Sequence, residues 1–507
     1  MSTEIGERLT IADVVRVARE RAEVALSPFA RERVERSRAT VERLVQEGRV
    51  IYGITTGVGE LAGVRISPEQ TAQLQVNIVR SHSAGVGEPL PDEAVRAMMV
   101  LRAHTLALGY SGIRPQTLDL LVALLNRRLH PVIPSQGSVG ASGDLAPLAH
   151  LALTMIGEGE VLVDGKRVSS REALEQARLR PTVLTAKEGM ALINGTQAMT
   201  AIGALAIFDA RRLAMTADIA GAMTFEALRG LPDAFDPLLH QVRPHPGQQL
   251  SAENLRRVVA GSQILAQPRT QPKVQDAYAL RCMPQVHGAS RDAIEFAAHV
   301  VEIEINAATD NPLIFPDEGR VISGGNFHGQ PVALAMDLLG IAVSELANIA
   351  ERRIERLVNP YLSGLPPFLT VDGGLHSGLM LAQYTAAALV SENKVLSHPA
   401  SVDSIPTSGN QEDHVSMGTI AARKAARIIT HAEQVLGIEL VCAAQALEFH
   451  HPARPGQGTA PALDAVRAVI PPLRGDRILA YDLAASADLV RRGRLVTAVE
   501  EAIGRLS

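Results

Sequence analysis

The feature that most restricts the fold is a run from Pro331 to about Val358. In it Leu339, Val343, Leu346, Ala350, Ile354 and Leu357 return at intervals of three and four, with Glu345, Glu351 and Arg352 between them. A helix that long with a single apolar stripe needs other helices to cover it, in the same chain or in other subunits. The same spacing recurs over 94–108, 118–129, 145–156 and 379–397, and a long helix of small residues opens at Ala198. Thr10 reads as an N-cap for the helix that starts at Ile11. Strand signals are few, the clearest being a small hairpin over 161–168 with an Asp164-Gly165 turn. The fold class expected is therefore mainly α. At 507 residues the chain has room for two or three domains.

Between the helices lie five loops punctuated by glycine: 51–59, 138–144, 187–197, 322–331 and 404–418. The glycines of the first do not fit the G-x-G-x-x-G spacing of a dinucleotide site and lack its strand-turn-helix setting. The second holds Gly140-Ala141-Ser142-Gly143-Asp144. Three small residues in a row let the backbone turn back until the Gly143 nitrogen reaches the Ala141 carbonyl carbon, and the Ser142 hydroxyl can leave as water. Taken alone, the stretch reads more simply as a loop with Asp144 as the N-cap of the next helix. Either way, the N–H groups and positive dipole end of the 145–156 helix point at the triplet.

Composition excludes several classes. A net charge of −5 and only 3% aromatic residues give nucleic-acid binding neither electrostatic nor stacking support. Two cysteines, Cys282 and Cys442, make no disulfide framework and fit a reducing compartment. No basic, then apolar, leader opens the sequence, and no uninterrupted apolar stretch is long enough to span a bilayer; a cytoplasmic protein without membrane contact is expected. Glu412, Asp413 and His414 invite a metal reading, but adjacent residues on one loop rarely converge as ligands, so no metal is expected. No G-x-S-x-G frames Ser142, which disfavours a serine hydrolase.

With its surroundings, the triplet resembles the aromatic amino-acid ammonia-lyases. The resemblance runs from Tyr52 to Gly418 through Ser81-His82, Asn194-Gly195-Thr196-Gln197, the Gln275 to Gly288 segment, Asn326-Phe327-His328 and Gln411-Glu412-Asp413-His414-Val415-Ser416-Met417. It implies that Ala141, Ser142 and Gly143 cyclise with loss of two waters to a methylidene-imidazolone (MIO), with no dissociable cofactor. It implies a fumarase/aspartase-like architecture: a mixed N-terminal domain over 1–200 with the ring-forming loop, then a long-helix bundle and C-terminal helices over 201–507. It also implies a homotetramer with shared active sites. Ser81-His82 and Glu412 look like the branch that acts on histidine, whereas phenylalanine lyases and tyrosine aminomutases carry glutamine where Glu412 stands. The expected reaction is the non-oxidative deamination of L-histidine to trans-urocanate and ammonia, the first step of histidine degradation; the alternative is an MIO-dependent tyrosine lyase or 2,3-aminomutase.

The resemblance also distributes roles. Tyr52 would be the base for the β-hydrogen, a weak acid that needs nearby positive charge or N–H donors to serve. Arg281 would fork the substrate carboxylate. His82 and Glu412 would hydrogen-bond the two imidazole nitrogens, a polar pair left unpaired against a phenyl ring. Asn194, Gln275, Tyr278 and Phe327 would orient the MIO and the amine, and Asp144 would assist ring closure. Gln275, Tyr278 and Arg281, three apart, are expected on one side of a helix.

Overall fold

The computed structural model describes residues 2–49, 51–53, 56, 66–163, 165–269 and 273–507. Of the loop read over 51–59, Ile54, Thr55 and Gly57 to Gly59 lie outside the described residues, as does Asp164 of the hairpin turn.

Helices begin where the sequence supplies acceptors for their first N–H groups. Thr10 and Asp13 form a reciprocal capping box at Ile11–Arg19. Ser27 caps Pro28–Gln46, with proline in the first turn, where no N–H is needed. The apolar periodicities become Asp92–Ala107, Pro115–Asn126, Leu145–Met155 and Met380–Leu396. The longest helices are Gln197–Ala227, Met283–Ile305, Gln330–Val358 and Gly418–Glu448. Gln330–Val358 buries the stripe read from sequence, with Leu339, Val343, Leu346, Ala350, Ile354 and Leu357 all fully inaccessible. By length and composition this helix could cross a bilayer, although Asp337, Glu345 and Glu351 interrupt its apolar run. With 67% of its most apolar window buried inside the protein, it serves as a core helix.

Strands are short. Glu160–Val163 and Lys166–Ser169 form the expected hairpin, pairing Val161 with Val168, and His130–Pro131 adds a third strand to it. Leu313–Phe315 pairs antiparallel with Arg320–Ile322 ahead of the Phe327 loop.

The chain divides into two compact units. One comprises 1–208, 297–337 and 399–423, and the other 209–296, 338–398 and 424–507. Among the described residues every strand lies in the first unit. That unit also gathers the 138–144, 187–197, 322–331 and 404–418 loops. The second unit holds a buried polar network: His287 bonds Asp218 at 2.8 Å, Arg291 pairs with Asp218 at 2.6 Å, and Arg353 grips both oxygens of Glu439 at 2.5 and 2.9 Å. Arg291 and His287 hold the Asp218 carboxyl down at about 2 although burial pushes it up.

Candidate active site

Two glycines allow the triplet its path. Gly140 and Gly143 sit at φ +70° and +71°, in the left-handed region. A Cβ on Gly143 would stand 2.2 Å from the Gly195 carbonyl oxygen, and one on Gly140 2.2 Å from Ser416 Oγ. The backbone passes between these walls with no room for a side chain.

Gly195 is walled in as well. Its φ is +150°, and a Cβ there would lie 2.5 to 2.7 Å from Gln197, Arg102 and Thr309. Arg102, fully buried, donates to the carbonyls of Asn194 (2.9 Å) and Ala191 and to Gln197 Oε1 (2.7 Å). This clamp fixes the turn from which Asn194 projects, and Asn194 Nδ2 donates to the Ser142 carbonyl oxygen at 2.8 Å. Asn194 Oδ1 is buried and has no partner among the described residues. An orphaned acceptor of that kind, beside the triplet, is a place for a donor on a ligand.

Asp144 occupies the N-cap position of Leu145–Met155, yet its carboxylate makes no cap there. It instead accepts from Ser138 Oγ (2.9 Å), Thr419 Oγ1 and the Met199 N–H (2.8 Å), thereby capping Gln197–Ala227. The Asp144 N–H donates to the Gly195 carbonyl at 2.7 Å. Burial pushes its carboxyl up, opposed by these donors. Asp144 thus ties the strand leaving the triplet to a helix start. The triplet's other flank is tied down by Met417 N–H to Val139 O (2.8 Å) and Ser416 Oγ to Gly140 O (2.8 Å), above an apolar cluster of Ala141, Val415 and Met417.

A more open wall faces this buried floor. Glu412 Oε1 accepts from Ser142 Oγ at 2.5 Å and Oε2 from Thr407 Oγ1 at 2.9 Å. His82, at the last position of Pro68–His82, donates from Nδ1 to the Ile78 carbonyl at 2.8 Å, which leaves Nε2 as the free acceptor. Burial lowers the His82 imidazole below its ordinary value, while the Ile78 carbonyl and the Glu412 charge pull it back up. Seven residues earlier on the same helix, fully buried Gln75 accepts through Oε1 from the N–H groups of Gly189 (2.8 Å) and Met190 (3.3 Å). Gln75 thereby fastens the His82 helix to Glu188–Ile193, the helix that ends at Asn194.

Glu412, Asp413 and His414 do not converge. Glu412 faces the triplet, Asp413 is exposed, and the His414 ring stacks on His328 at 5.6 Å. Phe327 and Tyr52 are both half-buried in the same unit, and a Cβ on Gly53, next to Tyr52, would lie 3.6 Å from Met190.

Gln275, Tyr278 and Arg281 belong to the other unit. Ala277 still has extended backbone at φ −64°, ψ 157°, so the helix is only Tyr278–Arg281 and Gln275 precedes it in irregular chain. The shared helical face holds for Tyr278 and Arg281, whose guanidinium lies 4.8 Å from the tyrosine ring centre, and fails for Gln275. Tyr278 is 70% exposed, and Arg281 Nε is buried without a partner among the described residues. Sequence reasoning passed over Arg102, Gln75 and Thr407. An arginine inside a largely apolar helical run was the one available signal for the first.

The aromatic amino acid lyase family model matches residues 9–468. A histidine ammonia-lyase of Symbiobacterium thermophilum is 61% identical over 505 residues, covering 100% of this chain and 99% of that protein. The crystal structure of histidine ammonia-lyase from Trypanosoma cruzi superposes with a TM-score of 0.93 at 44% identity, covering 99% of this chain and 96% of that one. That of a tyrosine aminomutase from Streptomyces globisporus superposes at 0.96 and 40% identity, with both chains fully covered.

Proposed function

The chain belongs to the aromatic amino acid lyase family, and from that premise we propose that it carries out the histidine ammonia-lyase reaction, releasing ammonia from L-histidine to leave trans-urocanate. The observation that carries this reading is the full-length 61% identity to a histidine ammonia-lyase. The pairing of Glu412 with Ser142 agrees with it, because it sets a carboxylate against the reacting triplet.

The site fits an MIO built from Ala141, Ser142 and Gly143. Both glycines flanking Ala141 and Ser142 have the left-handed φ a tight return requires, and a donor is already aimed at the Ser142 carbonyl. When formed, that group supplies an electrophile for the substrate's amino nitrogen, doing the electron-sink work that other enzymes leave to a bound cofactor.

The remaining steps fall to the chain's own side chains. Asn194 Nδ2 draws electron density from the Ser142 oxygen, and its Oδ1 accepts an N–H of the substrate's neutral amino group. Tyr52, deprotonated, takes the β-hydrogen as a proton onto its phenolate oxygen, and the electrons left behind form the C=C bond as the amino group departs. Glu412 Oε1 accepts the N–H of the imidazole, His82 Nε2 accepts the second N–H when the ring is protonated, and Phe327 packs beside the triplet. The resemblance gives Arg281 the role of forking the carboxylate and gives Tyr278 and Gln275 the role of orienting the amine; all three belong to the other unit. Asp144 keeps the strand at Gly143 in the curvature that ring closure needs.

The assembly we propose is a homotetramer with shared sites. Supporting it, Leu381, Tyr384 and Val395 are 49%, 59% and 71% exposed and, with exposed Ala388, form one apolar stripe along Met380–Leu396. We assign the protein to the cytoplasm, where free Cys282 and Cys442 stay reduced.

The test is initial rates with L-histidine, L-tyrosine and L-phenylalanine supplied separately. Because the chain has no tryptophan, ultraviolet product absorbance is read over a low background. Rapid urocanate formation is expected; turnover of tyrosine with none of histidine would favour the tyrosine lyase or 2,3-aminomutase alternative and end this assignment.

A further inference from the structure

We propose that Thr407 is a positioning residue that sets which way the Glu412 carboxylate faces, and through it the preference of the site for a nitrogen-bearing ring. The proposal rests on the reading above, in which Glu412 accepts from the substrate imidazole.

A glutamate side chain has several rotatable bonds and two equivalent oxygens, so by itself it presents either oxygen in many directions. Thr407 removes that freedom. Its hydroxyl donates to Glu412 Oε2 at 2.9 Å. The two backbones also pair, Thr407 N–H to Glu412 O at 2.9 Å and Glu412 N–H to Thr407 O at 3.3 Å, an isolated antiparallel bridge. Residues directly opposite in such a pair put their side chains on one face, within reach of each other.

The turn between them is held under strain. Ser408, Gly409 and Asn410 lie consecutively in the left-handed region at φ +52°, +63° and +69°. Two of these are not glycine, so the conformation persists only because the surrounding bonds over-determine it. With Oε2 turned to Thr407, Oε1 is the oxygen that faces the triplet, where it meets Ser142 Oγ at 2.5 Å. Loss of that hydroxyl as water leaves Oε1 pointing into the pocket with an open lone pair, and a ring N–H is the partner that satisfies it.

Valine at 407 keeps the shape and removes the donor; serine keeps the donor. For Thr407→Val we expect KM for L-histidine and the inhibition constant of trans-urocanate to rise about tenfold, the scale of one hydrogen bond to a charged group. Competitive inhibition by L-phenylalanine, which has no ring N–H, should change less than about twofold, a split that a general loosening of the loop would not produce. Thr407→Ser should return both constants to within about twofold of the parent. Intact mass should be the same two waters short of the encoded value in all three proteins. Unchanged urocanate inhibition in Thr407→Val, or equal weakening of both inhibitors, overturns the proposal. A parent protein at full encoded mass, or inactive on histidine, overturns the reading beneath it too.

Discussion

The floor of the site and its wall are built on opposite terms. Around Ala141 to Gly143 nearly every polar group is buried and paired: Asp144 takes three donors, Arg102 grips two carbonyls and a side-chain amide, and Gly143 and Gly195 press together with no space for a Cβ. The wall at His82 and Glu412 is half-buried, with His82 held by Ile78 and Glu412 by Thr407 and the Ser142 hydroxyl that maturation removes. A self-modifying backbone needs a rigid mould, because ring closure depends on holding two atoms at contact. A recognition wall needs only the right donors and acceptors, and can vary while the mould stays constant. The solved relatives are in keeping with that division: a histidine lyase and a tyrosine aminomutase both superpose on this chain at TM-scores above 0.9.

Changes to the floor should therefore abolish chemistry, and changes to the wall should redirect it. The largest effect is expected from Gly143→Ala, whose Cβ would meet the Gly195 carbonyl at 2.2 Å. We expect the encoded mass to be retained and turnover to fall by more than about a thousandfold, the consequence of losing a covalent electrophile. Normal turnover in that variant would break the comparison. Asn194→Ala removes the donor on the Ser142 oxygen and should lower kcat by about a hundred- to a thousandfold, as for loss of an oxyanion donor. Intact mass separates a maturation defect from a turnover defect.

Glu412→Gln tests the wall. Turnover of histidine should fall about tenfold to a hundredfold while the two-water deficit persists, since only ring recognition is touched. A full-mass Glu412→Gln protein would move Glu412 from the wall to the floor.

The smallest effect concerns His82. Burial lowers its folded-state value beneath the unfolded one near 6.5, so the unfolded chain takes up the proton first. Stability from neutral His82 is therefore complete above about pH 6.5 and drains away as the pH falls below it. An NMR titration of the labelled imidazole, assigned with His82→Asn, should show a midpoint under 6.5; a midpoint above it reverses the sign.

The sequence revealed elements better than it revealed contacts. Long periodic helices such as Gln330–Val358 were legible because one stripe of burial governs twenty-nine residues. The short Tyr278–Arg281 helix was not, since two turns of periodicity and one turn of helix look alike in a seven-residue window. Asp144 looked like a cap for the helix it precedes; only three dimensions reveal that it caps another, fifty-five residues on, at Met199. Arg102, Gln75 and Thr407 act through partners distant in sequence or across a tight turn, and carry no local mark. The triplet was legible because small residues are required there by sterics, and sterics write directly into composition.

The central claim is that the encoded tripeptide becomes a ring. Intact mass spectrometry of the purified parent protein, followed by peptide mapping across Ala141 to Gly143, reads this directly. The account predicts a mass two waters below the encoded sequence, with the whole deficit in that peptide. An active protein at full encoded mass would contradict it.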